Sequence, residues 1–354
     1  MRAIIPPYIL ARVASAREPH LARAAVAARA TLAARPADLA GRSQLRLTIE
    51  GGDTLVAERV PAPDRAVSDA EQREELPGTL VRAEDDPPTG DRAVDEAFAG
   101  LGATFAFFFE AFGRASIDGR GGPLAATVHY GVDYDNAFWN GDRMVFGDGD
   151  GEVFTGFTRS LTVIAHELAH GVTEFSGGLE YAGQSGALNE SLSDVFGALT
   201  EQHQRRQRAD EASWLIGAGI FAAGVQGRAL RSLAAPGTAY DDDVLGRDPQ
   251  PGHMRDYVDT TSDNGGVHIN SGIPNRAFHL AAMRLGGYAW ERAGLIWYRT
   301  LTAGTLSPTA DFTAFARATA SAAAEEYGER SEEADAVSAA WRDVGVLEDA
   351  TTGR

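Results

Sequence analysis

Residues 160–175 read SLTVIAHELAHGVTEF, an apolar run that sets two histidines four residues apart, and nothing else in the chain constrains its fold as tightly. On a helix, four residues advance by roughly 400°, so His166 and His170 project about 40° apart from one face. One metal ion can then meet both imidazoles. Glu167, the next residue round, can approach a water beside the ion without ligating it. A helix this apolar has to be covered on most sides. The bland alternative is a core helix holding two hydrogen-bonded histidines. The chain has no cysteine, so a zinc ion could be held only by His, Asp or Glu.

A second helix begins in the segment GALNESLSD, residues 186–194. Glu190 lies 20 residues after His170, room enough for a loop and a returning helix, and is the candidate third ligand. Two His and one Glu leave a fourth position for water, the layout of a catalytic rather than a closed structural zinc. Asp194, at i+4 from Glu190, shares its face. It is placed to accept the spare ring N–H of a ligand histidine, which fixes the tautomer. Asn189 is grouped with it as support behind the ligands. A solvated helix face is the alternative, weakened by the small and apolar surroundings.

HELAH followed by GALNESLSD resembles the thermolysin family of zinc endopeptidases. Further blocks resemble that family in the same order: YDNAFWNG from Tyr134, MVFGDGDG from Met144, DNGGVHINSG from Asp263, GGYAWERAGLIWYRTLT from Gly286 and YGERSEEADAVSAAWRDVGV from Tyr327. The likeness runs over residues 75–347. It implies an α+β, two-lobed zincin. A mixed, β-rich N-terminal lobe would occupy residues 63–172 with the zinc helix, and a mainly α-helical lobe residues 173–354. Residues 1–62 would be a small propeptide.

The resemblance also implies an activity: a zinc-dependent neutral endopeptidase with one catalytic Zn2+, cutting on the amino side of bulky apolar residues, with Glu167 as general base. His268 would donate to the oxyanion, oriented by Asp263, and Tyr181 would supply a second hydrogen bond. Arg231 would bind a substrate carbonyl on the primed side. Asn136 and the backbone of Ala137 would pair with extended substrate. Val163, Leu230, Phe154 and Phe157 match apolar positions near the primed-side pocket, and serve equally well as plain core. Two other classes compete: a non-catalytic zinc-binding or interaction module, and a zinc aminopeptidase. The complete set of ligands, base and oxyanion donors argues against the module. The DNGGVHINSG block and the Asn-Ala-Phe-Trp edge argue against the aminopeptidase.

The chain departs from calcium-rich members of the family. Thr162 stands four residues before His166, and Leu215 and Ala218 stand where carboxylates are expected, leaving Glu201. Calcium wants several hard oxygen ligands, so the double calcium site is expected to be lost. Asp241–Asp243 reads as a solvated acidic loop before a calcium site. Gly147–Gly151 lacks phosphate-loop spacing and is expected to be a hairpin turn.

The leader sequence IIPPYIL resembles the protealysin-like branch, which has a compact propeptide. It reads as an extended Pro-Pro-Tyr opening, an Ala/Arg-rich helix over residues 20–34, strands QLRLTIE and LVAERV, and a linker at 61–64. A helix over 92–100 and short strands to Phe157 follow, with mostly helix from Ser160 onward. The first 50 residues carry 8 Arg and 3 acids, a net of +5, within a chain of net −18. A basic leader on an acidic body suits an intramolecular plug, removed by self-processing in or near VPAPDRAVSDA; a small helical extension with no such role is the alternative on charge alone. The acidic balance argues against nucleic acid or anionic membrane as partners. Peptide or protein substrates, the chain's own propeptide and a dedicated protein inhibitor are the expected partners of a monomer. The N-terminus lacks the apolar core of a secretion signal, so the chain is expected to be cytoplasmic or exported by another route.

Overall fold

A computed structural model of the 354-residue chain describes residues 2–34 and 61–348. The leader strands expected at 44–50 and 55–60 lie outside the described residues. What is described of the leader is a strand β1 (Arg2–Ala3), a helix α1 (Pro7–Ala14) and a helix α2 (Ala22–Ala33). The expected extended Pro-Pro-Tyr opening is corrected here. Pro6 alone is extended, at φ −61° and ψ 144°, and Pro7 starts α1. A proline in the first helical turn gives up an N–H that has no partner there, and its fixed φ suits the helix.

The N-terminal lobe is built on β2 (Arg65–Asp69), β3 (Thr79–Ala83), the helix α3 (Arg92–Phe112), β4 (Leu124–Val128), β5 (Ala137–Trp139) and β6 (Met144–Phe146). The strands form one sheet in the order β1-β5-β6-β4-β2-β3. The leader's first strand therefore completes the edge beside β5, antiparallel, with Ala3 opposite Phe138. α3 runs well past the expected stop at Gly100. Gly100 is there for close packing, since a Cβ would come within 2.4 Å of Ile164. The helix ends instead at Gly113, which takes the left-handed conformation at φ 68° that a Cβ would penalise.

Two long helices carry the centre: α4 (Leu161–Ser176) and α5 (Gly183–Arg205). Every residue of α4 from Thr162 to Thr173 is buried, as the unbroken apolar sequence requires. The expectation of helix from Ser160 onward fails over residues 206–262. Apart from one 3-10 turn at Met254–Asp256, that stretch is turns and two-residue ladders, such as Leu215–Ile216 against Arg231–Ser232. Its glycines at positive φ, Gly217, Gly219, Gly237 and Gly246, interrupt any helical period. Helices resume with α6 (Asp263–Asn270), whose opening residues Asn264–Gly266 are left-handed rather than helical, and continue with α7 (Gly272–Leu285), α8 (Leu295–Thr302), α9 (Phe312–Tyr327) and α10 (Glu332–Asp343). Among the described residues no helix is long and apolar enough to cross a membrane.

The Gly147–Gly151 segment is not the expected hairpin turn. It leaves β6 for an isolated bridge between Phe154 and Phe221. Asp242, in the acidic run, caps its own loop by accepting from the N–H groups of Val244, Leu245 and Gln226.

His129 clasps this lobe. Its ring meets Asp148 at 2.9 Å and Asp91, the N-cap of α3, at 3.2 Å. The hydrogen bond to Asp148 outweighs desolvation and, with the nearby carboxylates, pushes its pKa up to about 9. A histidine raised above its free value near ~6.5 stabilises the fold fully below that pH, and the contribution fades as pH rises through the folded pKa. Thermal melts of wild type and His129→Gln should therefore differ most below about pH 6.5 and converge above pH 9.

Candidate active site

α4 and α5 pack against each other and bring His166, His170 and Glu190 together. The three side chains are fully buried. One donor atom from each lies within 4.8 Å of the others. His166 Nε2 is 3.5 Å and His170 Nε2 3.4 Å from the Glu190 carboxylate. Both Nε2 atoms and Glu190 Oε2 lack hydrogen-bond partners. Three buried, unpartnered donors converging on one point are costly without an ion. Two imidazoles and a carboxylate suit zinc, so these residues fit the metal their spacing implies. Among the described residues it is the one group of three or more such donors close enough to hold an ion.

The other ring nitrogens explain why Nε2 faces inward. His166 Nδ1–H donates to Asp194 Oδ1 at 2.8 Å. His170 Nδ1–H is shared between Asn189 Oδ1 at 2.8 Å and Ser193 Oγ at 2.9 Å. Asp194 also receives a fork from Arg231, at 2.8 and 2.9 Å, and a hydrogen bond from Asn275 at 2.8 Å. Burial raises its pKa, but the Arg231 charge and the hydrogen bonds from His166 and Arg231 outweigh this and hold it well below the usual carboxylate range. Ser193 and Asn275 were not singled out in the sequence. Ser193 lies inside the GALNESLSD block at i+3 from Glu190, so helical spacing could have found it. Asn275 comes from a distant helix and carried no local signal.

Glu167 is fully buried beside the cluster. Its Oε2 accepts from the Trp139 backbone N–H at 3.0 Å, and its Oε1 has no partner. Burial first, and then the neighbouring Glu190 charge, raises its pKa well above the ordinary value. His268 enters from α6. Its Nδ1 meets Asp263 Oδ1 at 2.6 Å, and the same carboxylate accepts the His268 backbone N–H at 2.9 Å. Desolvation lowers the His268 pKa, but the Glu190 and Asp263 charges and the Asp263 hydrogen bond carry it up to about 9. Asp263 reaches back because residues 263–266 all have positive φ, from 51° to 85°. Tyr181 OH donates to Glu190 and lies 3.3 Å from His268 Nε2.

The expected peptide edge is occupied by the chain's own leader. Ile4 N–H donates to Ala137 O at 3.0 Å. Asn136 takes the Ile5 N–H at 2.9 Å and gives its amide to Ile5 O at 3.2 Å. Arg231 donates to Ile4 O at 3.2 Å, and His268 Nε2–H to Ala3 O at 3.0 Å. Arg2 pairs with Glu174 at 2.9 Å. Ile4 is fully buried, a transfer worth about 1.5–3 kcal/mol for such a side chain. Phe154, Phe157, Val163 and Leu230 are all buried in the main core with it, and the first two rings are 5.9 Å apart. Away from the site, Thr162 Oγ1 accepts from Gly217 N–H, and Glu201 pairs with Arg205 at 3.1 Å.

Residues 43–174 match the family described as thermolysin metallopeptidase, catalytic domain, and residues 177–346 its alpha-helical domain. The chain is 58% identical over 291 residues to an "Extracellular metalloprotease" of Pectobacterium carotovorum subsp. carotovorum, covering 82% of this chain and 83% of that one. It is 53% identical over 284 residues to "Protease PrtS" of Photorhabdus sp. (strain Az29), covering 80% and 76%. The solved precursor of protealysin, a metalloproteinase from Serratia proteamaculans, superposes with a TM-score of 0.88 at 50% identity, over 98% of this chain and 100% of that one. With a buried two-histidine, one-glutamate centre between the two matched domains, the chain belongs to the thermolysin family of zinc metallopeptidases, in its protealysin-like branch.

Proposed function

We propose that this zinc endopeptidase cleaves peptides laid along β5, on the amino side of bulky apolar residues, and that its own leader is the first peptide to lie there. One observation carries the reading: His268 and Arg231 donate to the carbonyls of Ala3 and Ile4, Ile4 N–H donates to Ala137 O, and Asn136 pairs with both the N–H and the carbonyl of Ile5. Those are the side chains and backbone that a substrate strand would need.

His166, His170 and Glu190 would hold the zinc, whose chemistry there would be to acidify a water and polarise a carbonyl. Glu167 is the general base. Its buried carboxylate has a raised proton affinity and one oxygen free of partners, which suits taking a proton and handing it to the leaving amine. His268, held as a donor by Asp263, faces the oxygen of the residue before the cut. Tyr181, on the same side of Glu190, is the second donor. Arg231 holds the carbonyl after the cut, and its fork on Asp194 keeps it in place. Phe154, Phe157, Val163 and Leu230 wall the apolar pocket that Ile4 fills. Asp194 and Asn189 fix the ligand histidines from behind.

The leader, residues 1–62, acts as an inhibitory propeptide ahead of lobes at 63–172 and 173–354. Its anchors are electrostatic as well as apolar: Arg23 pairs with Asp133, and Glu152 accepts the Ala24 N–H at 2.9 Å. The expected processing stretch is narrowed by the sheet. β2 begins at Arg65 and pairs with both β3 and β4, so maturation should cut before Arg65. Relatives named extracellular support export of the chain. Thr162 and the Arg205-paired Glu201 support loss of the double calcium site.

Glu167→Ala should reduce turnover of an internally quenched peptide blocked at both ends by at least about 100-fold and should stay full length on intact mass after incubation with zinc. A wild type that also stays full length, yet is as active as a chain starting near Arg65, would refute the propeptide role. Asp194→Ala should weaken zinc retention about 10–100-fold in a chelator competition. Ile4→Asp puts a charge in the apolar pocket, and should raise the initial activity of the full-length chain without changing that of the processed enzyme.

A further inference from the structure

Asp135 and Asp150 are both fully buried, and neither serves the zinc centre. Asp135 Oδ1 accepts the Asp150 N–H at 2.8 Å. Asp150 Oδ1 accepts the N–H groups of Glu152 and Val153 at 2.5 and 2.6 Å. That leaves one oxygen on each, Asp135 Oδ2 and Asp150 Oδ2, buried without a partner. Two carboxylates cannot both stay ionised at such a place. A hard cation would need about six to eight oxygens, and among the described residues no third metal-holding side chain joins them. One proton held between the two side chains would give both orphan oxygens a partner.

The pair sits where it matters. Asp135 precedes Asn136 and Ala137, the residues that hold Ile5 and Ile4. Its backbone neighbours are stapled to the same loop: Gly147 N–H donates to Asn136 O at 2.9 Å, and Gly149 N–H to Tyr134 O at 3.2 Å. From above, the leader helix α2 covers it, with Thr31 Oγ accepting the Asp135 N–H at 3.0 Å.

We propose that Asp135 is a positioning residue for the peptide edge: its neutral carboxyl donates to Asp150, and this shared proton pins β5 in the register that receives a peptide or the leader. The proposal deepens the reading of β5 as the substrate edge and rests on it. Charge favours Asp150 as the anionic member, because two backbone N–H groups already point at it. Burial, the Asp150 charge and the hydrogen bond between the two push Asp135 up to about 9. The other charged groups around the pair are Asp133 on its own segment, Arg23 from α2, Glu152 on the facing loop, and Asp148, which His129 engages. Tyr134 is the adjacent phenol. Below the raised pKa the edge is latched. Above it a second buried negative charge appears and the two loops that carry the pair repel.

Asp135→Asn keeps a donor but cannot titrate, and Asp135→Ala removes the donor. The infrared difference between full-length wild type and Asp135→Asn at pH 7 should contain a protonated carboxyl band, moved by isotopic labelling of aspartate and lost above about pH 10. Absence of that band overturns the proposal, whether or not the chain is active. Steady-state kinetics with the doubly blocked peptide add the functional arm. Asp135→Asn should hold KM within about twofold of wild type at pH 7 and lose part of the rise in KM seen above pH 9. Asp135→Ala should raise KM about tenfold with kcat nearly unchanged, an outcome expected of a group that binds without stabilising the transition state. His268 titrates in the same alkaline range, so the difference between the two enzymes, and not the limb itself, reads on Asp135. Equal KM in wild type and Asp135→Ala would overturn the positioning role.

Discussion

The rest of the structure hangs on the Asp194 carboxylate. Four side-chain hydrogen bonds converge on its two oxygens, from His166 on α4, from Nε and one terminal nitrogen of Arg231 and from Asn275 on α7. An anion at full burial survives only when it is paired and fully hydrogen-bonded, and removing one partner of such a pair costs about 3–5 kcal/mol. Through this one group, the helix carrying the histidines, the helix carrying Glu190, the ladder carrying Arg231 and a helix of the C-terminal domain are held in mutual register. The metal centre is thus the visible end of a charge network that ties the two lobes together. Arg231 extends the network outward: the arm not used for Asp194 reaches the carbonyl of Ile4.

Under the inhibitory role proposed for the leader, that geometry explains how a segment of modest size would block an enzyme of this kind. It adds one short strand to an edge, buries Ile4 in the main core, and engages Asn136, Ala137, Arg231 and His268 through its backbone. Pro6 then turns the chain off the edge, and α1 begins at once. The stiff junction limits how far the strand can slide, since a one-residue slip would turn each side chain to the opposite face. α2, with Arg23, Ala24 and Thr31, holds the same loops from a second side.

The zinc ligands were legible in the sequence because they obey local rules. His166 and His170 are one helical turn apart, and Glu190 and Asp194 repeat that spacing on the next helix. Local rules also produced the errors. Gly100 looked like a stop, yet it is a contact with Ile164 sixty-odd residues away, which no window of sequence reveals. Pro6 and Pro7 looked alike, but one caps a helix and the other begins it. Residues 206–262 carried enough alanine and leucine to read as helix, while their course is set by glycines at positive φ and by pairing with distant segments. The register of the leader on β5 was illegible for the same reason. It depends on Asn136, Arg231 and His268 meeting in space, from three parts of the chain. The family likeness implies their roles, but their common target, residues 3–5 of the leader, exists only in the folded chain.

The edge that receives the leader is three residues long, Ala137–Trp139. An exposed sheet edge is ordinarily a hazard, since it can template pairing with other chains. Here the open rim is too brief to nucleate a growing ladder, because Asn136 bends away into its own loop at one end and the Asn140–Arg143 turn closes the other. On the proposed reading of β5, removal of the leader leaves a docking rail that fits one extended segment at a time. A protease must present bare backbone to other backbones without becoming their seed for aggregation, and the shortness of β5 reconciles those two demands.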